Sequence, residues 1–76
     1  MSQVLRHNAY VRVVDTLLPS EGIRLTTQFA IDNRKPGSYG TVERAIEGHD
    51  NNVWIVKHDN ETRAAYWRNE LVVQSG

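Results

Sequence analysis

The chain has 76 residues, which is the length of one small domain and too short for a two-domain enzyme. Its nine Lys and Arg residues balance nine Asp and Glu residues, and it has no cysteine. This composition disfavours strong nonspecific binding to nucleic acid and excludes a disulfide framework or a thiolate zinc site. No apolar run of about 18 residues is present, and residues 1–8 lack the apolar stretch of a signal peptide. We therefore expect a soluble, cytoplasmic protein without a membrane segment.

Short strands separated by polar turns account for most of the chain. The segment around Val11 and Val13 alternates apolar and polar residues, which is the pattern of a strand with one buried face. The segment that starts at Val53 is a continuous run of residues with high strand propensity, bounded by turn residues. Strands are predicted at Tyr10–Val14, Tyr39–Ile46, Val53–Lys57, Arg63–Trp67 and Leu71–Gln74.

The segments between these strands differ in length. Residues 15–36 form a long excursion, in which Ile23–Phe29 alternates again and is predicted to form a ribbon of its own. Gly48–Asn52 is a turn cluster, because Asn and Asp tolerate the left-handed backbone conformation. Arg68–Glu70 is too short for an α-helix and is predicted to be a single 3-10 turn.

One domain is expected over residues 9–74, preceded by a flexible N-terminus of residues 1–8. Alternation along the second strand places Gly40, Val42 and Ile46 on one face. The core is predicted to contain Val11, Val13, Val42, Leu71, and Ile55 or its neighbours, because the continuous apolar run from Val53 to Val56 hides its own alternation.

A first strand of the type Val11-Arg12-Val13, a long loop, a hairpin, and an aromatic strand leading through a short turn to Glu70-Leu71-Val72-Val73 together resemble the SH3-like barrel. Within it, Gly37-Ser38-Tyr39-Gly40-Thr41-Val42 is similar to the KOW motif of ribosomal and transcription-elongation proteins. The ending is similar to that of the photosystem I reaction-centre subunit IV family. The predicted fold class is therefore all-β: a small SH3-like barrel of about five antiparallel strands, with a single 3-10 turn before the last strand.

The second half of the chain also resembles the plasmid-encoded type II dihydrofolate reductase, which is of nearly equal length and works as a homotetramer around one pore. In that family a Val-Gln-Ile-Tyr strand lines the pore and Leu follows five residues after the Tyr, and here Leu71 follows Tyr66 at that interval. The chain has Ala64-Ala65 where the family has Gln-Ile, so the groups that hold folate and nicotinamide are missing. The resemblance implies a surface position for Tyr66 but no activity.

The triplet His-Asp-Asn occurs twice, at His49-Asp50-Asn51 and His58-Asp59-Asn60, and His and Asp are common metal ligands. An extended strand between the triplets would separate the histidines by up to roughly 30 Å, so they cannot share an ion within one chain. We interpret both as polar hairpin turns, with a site between subunits as the alternative. Because every His falls in a predicted turn or in the N-terminus, the sequence indicates no catalytic residue, metal site or cofactor.

Aromatic residues interleave with arginines in the second half of the chain, and stacking beside cations is how barrels bind single strands or peptides. In so small a barrel the same aromatics can instead fill the core and cover its ends, and both interpretations stay open. Because side chains alternate along a strand, one of Tyr66 and Trp67 faces in and the other faces out. The candidate binding residues are Tyr39, Arg44, Trp54, Arg63, Tyr66, Trp67 and Arg68.

The function predicted from these features is a small non-catalytic interaction module that binds a protein partner or itself through this aromatic and basic surface. A protein partner is favoured over nucleic acid because the charge is balanced. Two alternatives stay open: an oligomeric enzyme resembling the type II reductase, and a KOW-like module that contacts RNA or the ribosome. Compact stand-alone barrels are frequent among phage and other mobile-element genes, which is an association through the resembled families.

Overall fold

The part of the chain that the structure describes contains five strands, one short α-helix and one 3-10 turn. The computed structural model describes residues 5–24 and 27–75. Every predicted strand is present, with ends that differ from the prediction by one residue at most. The elements in chain order are β1 (Tyr10–Val13), α1 (Gln28–Asp32), β2 (Tyr39–Ala45), β3 (Val53–His58), β4 (Arg63–Trp67), the 3-10 turn (Arg68–Glu70) and β5 (Leu71–Ser75).

The strands form one antiparallel sheet in the order β4-β3-β2-β1-β5. Two hairpins join β2, β3 and β4, while β1 pairs with both β2 and β5, so the first and last strands lie side by side. This is the strand arrangement of an SH3-like barrel. The predicted fold class, all-β with five antiparallel strands and a 3-10 turn before the last one, is confirmed.

The sheet is buried on both faces at β3 and β4, and this produces two apolar clusters. Along β4, Ala64 and Tyr66 belong to the first cluster and Ala65 to the second. The excursion between β1 and β2 completes the second cluster with Ala30 and the half-buried Ile23. Burial of both faces explains why the sequence after Val53 is continuously apolar instead of alternating. The buried members of the first cluster are Leu5, Ala9, Val11, Val13, Val42, Val56, Ala64, Tyr66 and Leu71; those of the second are Ala30, Ile46, Val53, Ile55 and Ala65.

A β-bulge in β2 changes which side chains point to which cluster. The register of β2 against β3 shifts between Val42 and Arg44. Because a bulge inserts one residue and reverses the alternation, Val42 lies in the first cluster and Ile46 in the second. The prediction that Ile46 shares a face with Gly40 and Val42 is wrong for this reason. Beyond the bulge, Arg44 pairs with Ile55 of the second cluster.

Two glycines at the start of β2 each meet a structural requirement. A Cβ atom on Gly40 would lie 2.5 Å from the carbonyl oxygen of Lys57, 2.7 Å from Val56 Cγ1 and 2.9 Å from His58 Cα. No side chain fits in that space, so only glycine lets β2 and β3 approach this closely. Gly37 has a φ of +78°, a backbone conformation that L side chains rarely adopt.

The described residues of the excursion contain α1 and no strand, and Leu25 and Thr26 of the predicted ribbon lie outside the described part of the chain. Thr27 is the N-cap of this helix, and its Oγ1 accepts a hydrogen bond from the Ala30 N–H at 3.4 Å. The single turn of helix buries Ala30 in the second cluster and leaves Phe29 exposed. A short alternating run forms a strand only where a neighbouring strand can pair with it. The capped helical turn buries Ala30 without a pairing strand, and for this reason the prediction is wrong at Gln28 and Phe29.

Residues 5–8 of the segment expected to be flexible contact the barrel. Leu5 belongs to the first cluster, with 8% of its surface exposed. The N–H of Asn8 donates to the carbonyl oxygen of Val42 at 2.8 Å. Residues 1–4 lie outside the described part of the chain. The core therefore begins before residue 9.

Candidate functional site

A groove lies between α1 and the face of β2, β3 and β4 that carries the second cluster. Its volume is about 600 Å³, within the range of about 300–1,000 Å³ that is usual for ligand sites. Ala30, Ile46 and Ile55 form an apolar floor. Phe29 forms one wall with 76% of its surface exposed, more than any other large apolar side chain of the described residues. We call this the Phe29 groove and define it by Phe29, Ala30, Arg44, Ile46, Ile55 and Arg63.

The two arginines at the rim of the Phe29 groove differ in their electrostatic surroundings. Arg63 Nε donates to Glu43 Oε1 at 2.7 Å, and this hydrogen bond lowers the pKa of Glu43 and raises the pKa of Arg63. Glu61 further raises the pKa of Arg63 through its charge. The Arg44 side chain is exposed and makes no hydrogen bond or ion pair within residues 5–24 and 27–75, and its charge also lowers the pKa of Glu43. The guanidinium of Arg63 is thus hydrogen-bonded to a carboxylate, and that of Arg44 is not.

A second, polar cleft of about 450 Å³ lies between the loop after α1 and the turn from β3 to β4. Tyr39 lines it and stacks on Tyr10, with ring centroids 5.9 Å apart and planes 16° apart. The Tyr10 hydroxyl donates to Asp59 Oδ2 at 2.7 Å, which raises the pKa of Tyr10. Lys35 and Asp59 both line this cleft, so its charge favours neither an anion nor a cation.

A chain of hydrogen bonds leads from the lining of the polar cleft to the buried hydroxyl of Tyr66. The N–H and the hydroxyl of Thr62 both donate to Asn60 Oδ1, at 3.1 and 2.7 Å, so Thr62 Oγ1 accepts the 2.8 Å bond from His58 Nδ1–H. In the neutral imidazole Nε2 then accepts the hydroxyl proton of Tyr66 at 2.6 Å, and the Tyr66 oxygen accepts the N–H of Lys35 at 2.8 Å. All of these hydrogen bonds form together only when His58 is the neutral Nδ1–H tautomer.

The His58 and Tyr66 end of this network lies in the core. His58 ends β3 and is buried, so the prediction that every histidine lies in a turn or in the N-terminus is wrong for His58. Burial lowers the pKa of His58, and the charge of Lys35 lowers it further, against a raising effect of Asp59. Burial also raises the pKa of Tyr66. Both ring nitrogens of His58 are engaged internally, so neither reaches a reacting group in the cleft.

Arg34 and Glu70 form a buried ion pair between the loop after α1 and the 3-10 turn, with side-chain exposures of 6% and 0%. Glu70 Oε2 accepts from Arg34 Nη2 and from the Leu18 N–H, the latter at 2.7 Å. Glu70 Oε1 accepts from the Trp67 N–H at 2.7 Å. Arg34 also donates to the Leu18 carbonyl oxygen at 3.1 Å, and its Cζ lies 5.6 Å from the ring centroid of Tyr66. The pair therefore fastens both ends of the excursion to the barrel.

The predicted binding residues do not form one surface. Arg44 and Arg63 lie together at the rim of the Phe29 groove, whereas Tyr39 is exposed in the polar cleft. Tyr66 has no exposed surface and cannot contact a partner, so for this residue the packing interpretation holds. Arg68 is exposed and lines neither the groove nor the polar cleft.

The two tryptophans are half-buried and fasten loops. Trp54 Nε1 donates to the Asn51 carbonyl oxygen at 2.7 Å. Trp67 Nε1 donates to the Pro19 carbonyl oxygen at 2.9 Å, and its ring meets the His49 ring edge-on with centroids 5.9 Å apart. Tyr66 and Trp67 point to opposite faces as expected, but Trp67 packs against the second cluster because the excursion covers that face.

Sequence reasoning missed Phe29, Arg34 and Glu70. The signal for Phe29 is Thr27, whose hydroxyl marks a helix start and would have placed the only phenylalanine of the chain on a helical turn. Glu70 coincides with the acidic residue before Leu and Val in the resemblance to SH3-like barrels, although nothing in the pattern indicates that this carboxylate is buried. No sequence pattern indicates that Arg34 is buried in an ion pair, because its partner Glu70 is distant in sequence.

Within residues 5–24 and 27–75, no group of three or more His, Asp or Glu side chains is placed to hold a metal ion. His49 of the first triplet is half-buried against Trp67, and His58 of the second is in the network described above. No helix in the described residues has the length and apolar character to cross a membrane.

Comparison of the chain with known proteins gives no match to a family model, to a curated protein or to a solved structure. The likenesses to KOW proteins and to the type II reductase are therefore likenesses of sequence pattern. In the reductase-like strand Ala64, Ala65 and Tyr66 are all fully buried. That strand offers none of these three side chains to a pore shared between subunits.

Proposed function

We propose that the protein is a non-catalytic interaction module that binds a peptide segment of a protein partner in the Phe29 groove. The observation that carries the proposal is the 76% exposure of Phe29 beside a floor of Ala30, Ile46 and Ile55. Aromatic side chains are enriched at protein interfaces, and an exposed ring that is continuous with an apolar concavity forms the kind of patch that marks an interaction site. An apolar side chain of the partner would seat between Phe29 and the floor.

Side-chain contacts, rather than strand addition, explain the binding best at this position. β4 is an edge strand of the sheet, but α1 packs alongside it. Asn33 Nδ2 donates to the carbonyl oxygen of Arg63 at 3.1 Å, so this acceptor of the strand edge is already occupied. A partner strand would have to displace α1, whereas a side chain can enter the groove directly.

The proposal is tested by panning a random peptide display library against the purified protein, with counter-selection against Phe29→Ser. Enriched peptides should bind the wild type and lose at least about tenfold in affinity on Phe29→Ser, as expected for a central aromatic anchor. Leu18→Ser is the matched control, because Leu18 is 47% exposed and lies outside the Phe29 groove. It should bind these peptides as the wild type does.

Peptides that bind wild type and Phe29→Ser equally would overturn the proposal, as would failure to enrich any peptide. A second copy of this chain is the competing occupant. Light scattering at increasing protein concentration would then show a mass that rises for the wild type and not for Phe29→Ser.

A further inference from the structure

We infer that the partner segment carries a carboxylate next to the apolar residue that enters the Phe29 groove, and that Arg44 binds this carboxylate. The inference names the chemistry of the partner and rests on the proposed function of the same groove. It depends on the difference between the two arginines of the rim.

Arg44 is the rim cation that lacks a carboxylate. Arg63 is hydrogen-bonded to Glu43 and lies in the field of Glu61. The Arg44 side chain makes no hydrogen bond or ion pair in the described part of the chain, and it interacts with Glu43 through its charge alone. The bulge in β2 places Arg44 opposite Ile55, so its guanidinium stands beside the apolar floor and not on the far face of the sheet.

A partner that covers the groove must therefore desolvate a guanidinium that has no hydrogen-bonded carboxylate. Closing an apolar surface over Arg44 removes water from the guanidinium, which is costly unless a partner group replaces that water. A carboxylate does so best, because it accepts two parallel hydrogen bonds from the planar guanidinium. An amide replaces the water less well, and an ammonium adds repulsion.

The carboxylate of the partner is expected at Arg44 and not at Arg63. The hydrogen bond from Arg63 lowers the pKa of Glu43, so Glu43 is charged at neutral pH and repels a second carboxylate at that position. Arg44 and Arg63 are both exposed, and only their neighbours distinguish them. We expect the acidic residue of the partner to lie on the side of the apolar anchor that faces β2.

The experiment uses pools of fluorescent short peptides with a fixed central Leu, flanked on both sides by Asp, Asn or Lys, with all other positions randomised. At low salt the wild type should bind the Asp pool about fivefold more tightly than the Asn pool, which corresponds to about 1 kcal/mol, and the Lys pool most weakly. High salt should reduce the preference. Arg44→Gln should remove it, and Arg44→Glu should reverse it in favour of the Lys pool.

Arg6→Gln is the charge-matched control, because Arg6 is exposed and lies outside the groove. It should keep the preference for Asp. If the Asn pool binds as tightly as the Asp pool while both depend on Phe29, the inference is overturned and the proposed function stands. If no pool binds in a way that Phe29→Ser abolishes, both are overturned.

Discussion

Glu70 holds Arg34 inside the protein, where the Arg34 guanidinium lies across the ring of Tyr66. The Nε atom of Arg34 is buried and has no hydrogen-bond partner within the described residues, so the carboxylate of Glu70 provides most of the compensation for this charge. The same carboxylate accepts the backbone N–H groups of Leu18 and Trp67. One side chain thus connects the two ends of the excursion with β4.

Replacing Glu70 with Gln should destabilise the protein severely. The substitution leaves Arg34 charged and buried without a counterion, and removal of one partner from a buried pair costs about 3–5 kcal/mol. A domain of this size rarely has more than about 3–5 kcal/mol of net stability, so Glu70→Gln should be largely unfolded in buffer, as measured by circular dichroism and urea titration.

The exposed Glu47 provides the control, because Glu47→Gln should leave the urea midpoint unchanged. The double variant Arg34→Met with Glu70→Gln should recover part of the loss, since no buried charge is then left unpaired. If Glu70→Gln lowered the free energy of unfolding by less than about 1 kcal/mol, the Arg34–Glu70 pair would contribute no more than an exposed ion pair.

Gly40→Ala should cost about 3 kcal/mol, at the upper end of the range for overpacking. The new Cβ would meet the backbone of Lys57 and His58, and backbone atoms cannot move aside without separating β2 from β3. Gly48→Ala is the control that separates the cost of overpacking from the cost of an unfavourable backbone conformation. Gly48 has a φ of +91°, and among the described residues other than its chain neighbours no atom lies within 4 Å of its Cβ position, so only the left-handed penalty of about 1–2 kcal/mol applies. Equal losses in urea unfolding would refute the role of close approach.

The stability of the protein should fall on mild acidification because of His58. Its pKa is lowered in the folded state, first by burial and then by the charge of Lys35, while Asp59 opposes the shift and Tyr66 is neutral. Between the folded pKa and the unfolded value of about 6.5 the unfolded state binds more protons. The stabilisation is therefore complete above pH about 6.5 and is lost progressively as the pH falls towards the folded pKa.

Urea unfolding at a series of pH values from neutral to mildly acidic measures this effect, before the carboxylates begin to titrate. His58→Gln should flatten the decline, whereas His49→Gln should retain it, because His58 is then unchanged. A His58 pKa at or above the usual value, obtained by NMR titration, would contradict the prediction.

The hydrogen-bond chain also predicts the tautomer of His58. Thr62 uses its own proton on Asn60, so the proton of the neutral imidazole must be on Nδ1. Long-range proton–nitrogen correlation NMR should show the Nδ1–H pattern above the His58 pKa, with the resonance assigned by its loss in His58→Gln. An Nε2–H pattern would show that Tyr66 does not donate to His58.

Binding to nucleic acid should be weak. The charge is balanced and the basic residues are divided among separate surfaces, so few phosphates can be neutralised together. Affinity for single-stranded DNA or RNA should be no better than about micromolar at physiological salt, with a shallow salt dependence. Submicromolar binding with a steep salt dependence in fluorescence anisotropy would instead favour the KOW-like alternative.

The strands could be predicted because their signals are local. Val11 and Val13 alternate with polar residues, Gly and Asn mark the turns, and each predicted strand is present within one residue at its ends. Asp50 and Asn51 have positive φ values of 50° and 63°, as expected for the turn cluster that contains them. Steric preference and periodicity depend on residues that are neighbours in sequence, so a single amino-acid sequence is enough to recognise them.

Tertiary structure alone decided where the excursion goes and what the groove contains. The bulge that turns Arg44 towards Ile55 depends on pairing with β3, and the burial of Glu70 depends on Arg34, which is distant in sequence. Trp67 is half-buried because the excursion folds over the second face of the sheet, whereas Tyr66 is buried on the opposite face in the first cluster. Alternation specifies that two neighbouring side chains face opposite ways, but whether either face meets water depends on which distant segment packs there, and that is a property of the assembled fold.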